Sequence, residues 1–461
     1  MVTTVRKKNV GIDLTEGSIL KALIVFAVPI VITNLIQQLY SLVDLMVIGK
    51  YVGNIGSIGV NTGGEVADLI MPVASGLAAG GQIYISQLTG AKQYEEIKKA
   101  ISTMLTFMLG CATVLALLSI FFCDPVLNWL NCPSEALEQA RSYMIICALG
   151  FPFIFGYNAI CSILRSMGES KRPLIFIVIA AIINIVFDIL LVAVFNLHAM
   201  GTAVATVLSQ VASCMAAFIY LEKKKETFGF ELKLSSLKIE KESLIVILKL
   251  GVPQICRSLL VRSGILYVNK NANGYGQIVS TTNGIGNKIQ KLLDVFVSGV
   301  DTAAATMIGQ NLGAQKVTRA GKVVMYTLAC SLVCAAGASA VCLLAPKLVF
   351  GLFSADNAVI EMGTIYLKFL CIHFFSSAVT GSFQAMVTGS GFVTLGFAIG
   401  ILDGVVCKIG LSYIFETVMH MGYIGLFLGV ATSRIIPSFI NIGYYFSGKW
   451  KTRKLLTKKT V

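Results

Sequence analysis

The segments YISQLTGAKQ (residues 84–93) and MIGQNLGAQK (307–316) carry a similar signature, and each ends a long apolar run. Ahead of them stand AVPIV (27–31, with Pro29) and GVPQI (251–255, with Pro253). Behind them stand RSMG, ending at Gly168, and MVTG, ending at Gly389. Pro29 and Pro253 are 224 residues apart, Gly90 and Gly313 are 223 apart, and Gly168 and Gly389 are 221 apart. Three landmarks in the same order at a nearly constant offset point to an internal duplication. The repeat period is half the chain.

Between these landmarks the chain is oily. Of 461 residues 56% are hydrophobic and 13% charged, about half the charged share of a soluble domain, roughly 25%. Too little polar surface remains to cover a water-soluble body, which excludes a soluble enzyme or a disordered chain. Apolar runs near 22–48, 60–86, 100–123, 143–164, 173–196 and 200–221 predict six helices. Runs near 248–268, 278–308, 322–345, 364–386, 392–415 and 422–446 predict six more. Each is long enough for the ~20 residues that a spanning helix needs. The expected fold is an all-α integral membrane protein with twelve transmembrane helices in two six-helix lobes. Because six is even, both halves enter from the same side, giving pseudo-two-fold symmetry along the membrane normal.

The expected division is an N-lobe over residues 1–221, a cytoplasmic linker over 222–247 and a C-lobe over 248–461. The linker region LEKKKETFGFELKLSSLKIEKES (221–243) is too charged to span. Net charge is +14, from 37 Lys and Arg against 23 Asp and Glu. With the N-terminus inside, 26 of the 37 basic residues fall in inner segments and 4 in outer ones: Lys50, Arg141, Lys270 and Lys347. That bias places both termini in the cytoplasm. It also accounts for the basic excess through anionic lipid headgroups, with no nucleic-acid partner. The polar, charged start MVTTVRKKNVGIDLTEGS lacks signal-peptide form. Twelve cysteines lie singly, with no CxxC pair. Cys123 and Cys132 flank one outer loop and could pair. No GxxxxGK[ST] phosphate loop occurs, so an ion gradient is the expected energy source. Glycines at 76, 80, 81, 90, 299 and 309 would let helices approach closely.

TEGSILKALIVFAVPI (15–30), SLVDLMVIG (41–49), GGQIYISQLTGAKQ (80–93), ILRSMGESKRPL (163–174) and GTAVATVLSQ (201–210) together resemble the multidrug and toxic compound extrusion (MATE) family. Within it they are closer to the DinF-like and staphylococcal multidrug-exporter groups than to the NorM group. The resemblance implies a bacterial inner-membrane antiporter, acting without a cofactor. It would export cationic amphipathic compounds in exchange for H+ or Na+. Such a transporter is expected to act as a monomer among membrane lipids.

An ionisable group at the centre of a span costs about 2.5–3.5 kcal/mol and is a functional candidate by default. Asp44 lies seven residues after Gln37, on the same helical face. Asn184 and Asp188 are i and i+4 on the fifth span and share a face. The resemblance assigns Gln37, Asp44, Asn184 and Asp188 to an interior N-lobe cavity, and extends to Tyr143, Asn158 and Thr206. Asp44 and Asp188 are the expected coupling carboxylates, with Asn184, Asn158, Tyr143 and Thr206 as polar partners. Gln37 and Asp44 are the expected cargo contacts. Asp44, Asp188 and Asn184 could also hold Na+. Glu65 and Asp68 are expected at the outer start of the second helix.

The second half carries Arg257, Arg262, Lys288, Lys291, Asp294, Asp301, Asp403, Lys408 and Arg434 within its spans. Lys291 and Asp294, three apart, can pair. Where the NorM group has acidic ion ligands, Val261 and Ser377 stand here, which shifts the expected ion site to the N-lobe. A flippase for a lipid-linked or isoprenoid-linked precursor is the alternative reading, with Arg257, Arg262 and Arg434 binding phosphates. Histidines 198, 373 and 420 form no metal or triad spacing, so no enzyme is expected.

Overall fold

A computed structural model describes residues 11–228, 230, 233, 236–453, 455 and 456. The basic residues Arg6, Lys7, Lys8, Lys454, Lys458 and Lys459 of the expected cytoplasmic termini lie outside the described residues. Among the described residues there is no strand, and twelve helices are long and apolar enough to cross a membrane.

The first six are α1 (Ile19–Val47), α2 (Gly53–Gly90), α3 (Tyr94–Phe121), α4 (Leu137–Ser166), α5 (Lys171–Asp188) and α6 (His198–Lys223). The second six are α7 (Lys241–Gly274), α8 (Gln277–Gly313), α9 (Val317–Leu344), α10 (Asn357–Gly389), α11 (Val393–Val418) and α12 (Gly422–Phe446). Several helices outrun their apolar stretches. The α7 helix starts at Lys241, inside the basic linker, because polar turns can project beyond the hydrocarbon. The α2 helix begins at Gly53, so exposed Glu65 and Asp68 sit about three and four turns within it, not at its start.

Packing divides the chain into two compact units. Unit 1 takes the residues up to Asp13 with Ile32–Val252, and unit 2 takes Leu14–Val31 with Pro253–Val461. The expected boundaries keep α1 whole in the N-lobe. Instead α1 changes unit just past Pro29, and α7 changes immediately ahead of Pro253. A proline inside a helix removes one backbone hydrogen bond, so the turns on either side can follow different partners. Glycine provides the landing places. A Cβ on Gly80 of α2 would lie 2.6 Å from the Gly251 nitrogen at the start of α7, and one on Gly299 of α8 would lie 3.0 Å from Val31 Cα of α1. The segment ahead of each first helix docks in the same swapped manner. In unit 2, Asn311 Nδ2 donates to Leu14 O (3.1 Å) and Lys316 Nζ to Thr15 O (3.0 Å). In unit 1, Ser102 Oγ donates to Lys238 O (2.8 Å), and Thr103 Oγ1 accepts from Glu240 N (3.0 Å).

The duplication is visible in the backbone. Left-handed residues follow α2 at Lys92 and α8 at Gln315, and precede α6 at Asn196 and α12 at His420. Short helices Cys123–Trp129 and Pro346–Gly351 follow α3 and α9. After α4 and α10 the left-handed glycines are Gly168 and Gly391. Gly391, not Gly389, is therefore the counterpart of Gly168, and the offset stays at 223–224 throughout.

Candidate functional site

In unit 1, α1 and α5 each give up regular α geometry beside a carboxylate. The α1 helix passes into a π turn (Ile48–Val52) one turn after Asp44, and α5 into a π turn (Ile189–Val194) directly after Asp188. Such turns insert one residue and re-aim the side chains around them, often at functional sites. Gly201 of α6 permits the tight packing, since a Cβ there would meet the Leu191 carbonyl at 3.2 Å.

Asp44, Asn184 and Asp188 come within interaction range of one another. Asn184 is 1% exposed, Asp188 is 0% exposed, and Asp44 is half-buried. Among the described residues, Asp44 Oδ1, both Asp188 oxygens and both polar atoms of the Asn184 amide are buried without a hydrogen-bond partner. Most buried polar atoms in folded proteins are satisfied. Five orphans in one place mark a site with capacity for an ion or a ligand group.

The other expected residues divide. Tyr143 of α4 lies near Asp44 and Asp68 and packs against the small apolar cluster of Val47, Ile48, Val52, Val60 and Val192. Gln37 is half-buried, two turns before Asp44 on the same helical face. Asn158 turns back on α4, its Nδ2 donating to Ile154 O at 2.8 Å. Thr206 is half-buried on α6, and its carbonyl accepts from Ser209 Oγ at 2.7 Å. Sequence reasoning missed Tyr40, which interacts with both Asp44 and Gln210. Its signal was available, four residues before Asp44 on the same face.

Unit 2 holds a second constellation. His373 Nε2 lies 3.3 Å from both Asp294 oxygens and 3.0 Å from Gln290 Nε2, and Ser377 Oγ donates to Asp294 Oδ1 at 3.2 Å. Arg434 hydrogen-bonds Ser377, with Nη1 3.7 Å from Asp294 Oδ1 and Nε 3.7 Å from Asp403 Oδ2. Lys408 is 2% exposed and Asp403 1%, and both interact with Arg434. Gly404 brings α11 so close to α7 that a Cβ would lie 2.7 Å from Val261 N. Arg257 and Asp301 complete the group through Asp403 and Arg434. The expected Lys291–Asp294 pair does not form: Lys291 lies on the exposed face of α8, and Asp294 turns inward to His373 and Arg434. Ser377, read as a lost acidic ligand, is in contact with an acid from α8.

Among the described residues no group of three His, Cys, Asp or Glu side chains forms a metal cluster. Cys123 and Cys132 are both free thiols. Cys123 Sγ faces Met144 Sδ at 3.7 Å, and Cys132 Sγ faces Pro133 O at 3.8 Å. Burial, and then the adjacent Asp124 carboxylate, hold the Cys123 thiol above its ordinary range.

Comparison with known proteins agrees with this architecture. The chain is 25% identical over 449 residues to the probable multidrug resistance protein YpnP of Bacillus subtilis, covering 97% of this chain and 99% of that one. It is 26% identical over 400 residues to the multidrug export protein MepA of Staphylococcus saprophyticus, covering 85% and 86%. It superposes with a TM-score of 0.89, at 22% identity and over 97% and 99% of the two chains, on an outward-facing multidrug resistance MATE family transporter of the MOP superfamily. The MatE family profile matches twice, over residues 29–190 and 253–414, starting at the two prolines and repeating at an offset of 224. The chain belongs to the MatE (MATE) family.

Proposed function

We propose that this protein is a secondary active multidrug exporter that exchanges cationic amphipathic compounds for protons by alternating access. Family membership and the names of its relatives support the transport class. The observation that carries the coupling proposal is the set of unpartnered, buried polar atoms on Asp44, Asn184 and Asp188. Two carboxylates this close repel, and a low-dielectric site lets them remain together only with a proton or a cation between them.

Fully buried Asp188 holds the proton, with Asn184 as its neighbour, while half-buried Asp44 and Gln37 meet the cargo. Tyr143, Asn158 and Thr206 supply further polar groups along the same path. Arrival of a proton cancels negative charge and weakens the hold on a cation, and its departure restores that hold. The oxygen atoms of Asp44, Asp188 and Asn184 also suit Na+ chemically. Imposed pH and sodium gradients, applied separately to proteoliposomes, distinguish the two ions. The protein works in the bacterial inner membrane as a monomer, with cytoplasmic termini and no cofactor. The flippase reading has less support. It needs arginines free for phosphate, whereas Arg434 is shared between Asp294 and Asp403 and Arg257 lies beside Asp403 and Asp301.

Efflux of a fluorescent cation from cells tests the proposal. Asp44→Asn and Asp188→Asn should each lower the rate about tenfold or more. Wild-type rates in both variants would remove the coupling assignment.

A further inference from the structure

The charged cluster of unit 2 lies outside the site proposed at Asp44 and Asp188, yet its geometry is that of a proton carrier. We propose that His373 and Asp294 form a second proton-binding centre, in which Arg434 moves its pairing from Asp294 to Asp403 when the imidazole takes up a proton.

His373 is 0% exposed within a span, and its Nδ1 has no hydrogen-bond partner among the described residues. A buried histidine with a purely structural role normally satisfies both ring nitrogens. On the other side of the ring the Gln290 amide nitrogen lies 3.0 Å from His373 Nε2 and donates to Asp294 Oδ2 at 3.4 Å. An ionised carboxylate only accepts, so the neutral ring turns Nε2–H towards Asp294 and leaves the lone pair of Nδ1 open. A proton arriving at Nδ1 makes the ring cationic and turns the 3.3 Å Nε2–H contact with Asp294 into a charge-assisted hydrogen bond. No covalent bond other than N–H forms or breaks.

Asp294 is also contested. Arg434 stands 3.7 Å from Asp294 and 3.7 Å from Asp403, at hydrogen-bond length to neither. Once His373 compensates Asp294, Arg434 is free to close on Asp403, whose Oδ1 is buried and unpartnered. Charge counting gives the direction. Counted as formal charges, Asp294, Asp301 and Asp403 match Arg257, Lys408 and Arg434, so a proton on the imidazole adds one positive charge to the centre. Arg434 from α12, Lys408 from α11 and Arg257 from α7 oppose that charge, while the three aspartates favour it. A buried, unbalanced charge is costly, so the proton is held transiently, not stored. The side chains of Asp294 and Arg434 are 25% and 22% exposed, which gives the proton an edge at which to enter.

Histidine-selective 15N NMR of the full-length protein in nanodiscs tests this without any transport measurement. The three imidazoles are those of His198, His373 and His420, and His373→Gln identifies the relevant signal. If that variant misfolds, His198→Gln and His420→Gln identify it by elimination. The His373 signal should change with pH, and in Asp294→Asn that change should move to lower pH by about one unit. A signal unchanged from pH 5 to 9, or a midpoint unaffected by Asp294→Asn, overturns the proposal. A second arm rests on the antiport reading. In proteoliposomes His373→Gln should lower the protons exchanged per organic cation by about half relative to wild type. An unchanged ratio removes the coupling role. If the wild-type protein moves no organic cation, the exporter reading fails instead, and the NMR titration alone decides whether the centre exists.

Discussion

The two units share one frame and fill it with opposite electrostatics. At an offset of 224, Asn184 becomes Lys408, Asp188 becomes Ser412, Gln210 becomes Arg434 and Asp44 becomes Val268. The backbone is retained where the charges are not. Gly201 rests against Leu191 in unit 1 and Gly425 against Phe415 in unit 2, and both helices ahead of them end in π turns, Ile189–Val194 and Ile414–Val418. Close packing constrains which residues can sit at a helix contact. It constrains much less what a side chain carries into a polar pocket. Unit 1 therefore keeps like charges without partners, a ligand-receiving arrangement. Unit 2 has gathered acids and bases that answer one another.

The widest gap between the units should appear in stability. Arg434→Met strips Asp294 and Asp403 of their shared cation, and breaking a buried pair from one side costs about 3–5 kcal/mol. Thermal unfolding of the purified variant should show a large fall in Tm. Asp188→Asn should show none, because it relieves repulsion, while efflux falls about tenfold or more. A comparable loss of stability in both variants would mean that Asp188 is structurally paired, and the contrast between the units would disappear.

Sequence disclosed the frame because the bilayer asks for so little: about 20 apolar residues per span and a repeated landmark per half. Asp44 and Asp188 stood out for the same reason, as charges in otherwise apolar runs. The unit 2 centre did not, since its members come from α7, α8, α10, α11 and α12 and become neighbours only through the faces that those helices turn inward. The π turn Leu402–Cys407 contains Asp403 and ends directly before Lys408, which shifts the helical phase there. A period of 3.6 cannot anticipate that shift. Helical spacing likewise paired Asp294 with Lys291, whereas burial decided for His373. The crossing of α1 from one unit to the other was also hidden. Pro29 and Pro253 marked the places, but a proline does not name the partners on either side.

The swapped helix starts offer a comparison of intermediate size. Gly80→Ala places a methyl group 2.6 Å from a backbone nitrogen in unit 1, and Gly299→Ala places one 3.0 Å from a backbone Cα in unit 2. Backbone cannot step aside as a flexible side chain can, so each variant should lose about 1–3 kcal/mol. Gly110→Ala on α3, where nothing lies within 4 Å, should instead gain up to about 1 kcal/mol from helix propensity. Tm values of the three proteins check the ordering. Equal values would show that the close approaches relax without strain.

The smallest effect separates two asparagines within unit 1. Asn184 keeps both polar atoms buried and unpartnered beside the carboxylates, whereas Asn158 already donates to Ile154 O of its own helix. Removing an amide that serves its own backbone loses one modest hydrogen bond, about 0.5–1.5 kcal/mol, and leaves the carboxylate environment as it was. Asn158→Ala should therefore slow efflux by less than about threefold, and Asn184→Ala by clearly more. Initial efflux rates at a fixed pH gradient measure both. The reverse order would place the ion nearer α4 than α5, and Asn158 would have to leave Ile154 during transport to reach it.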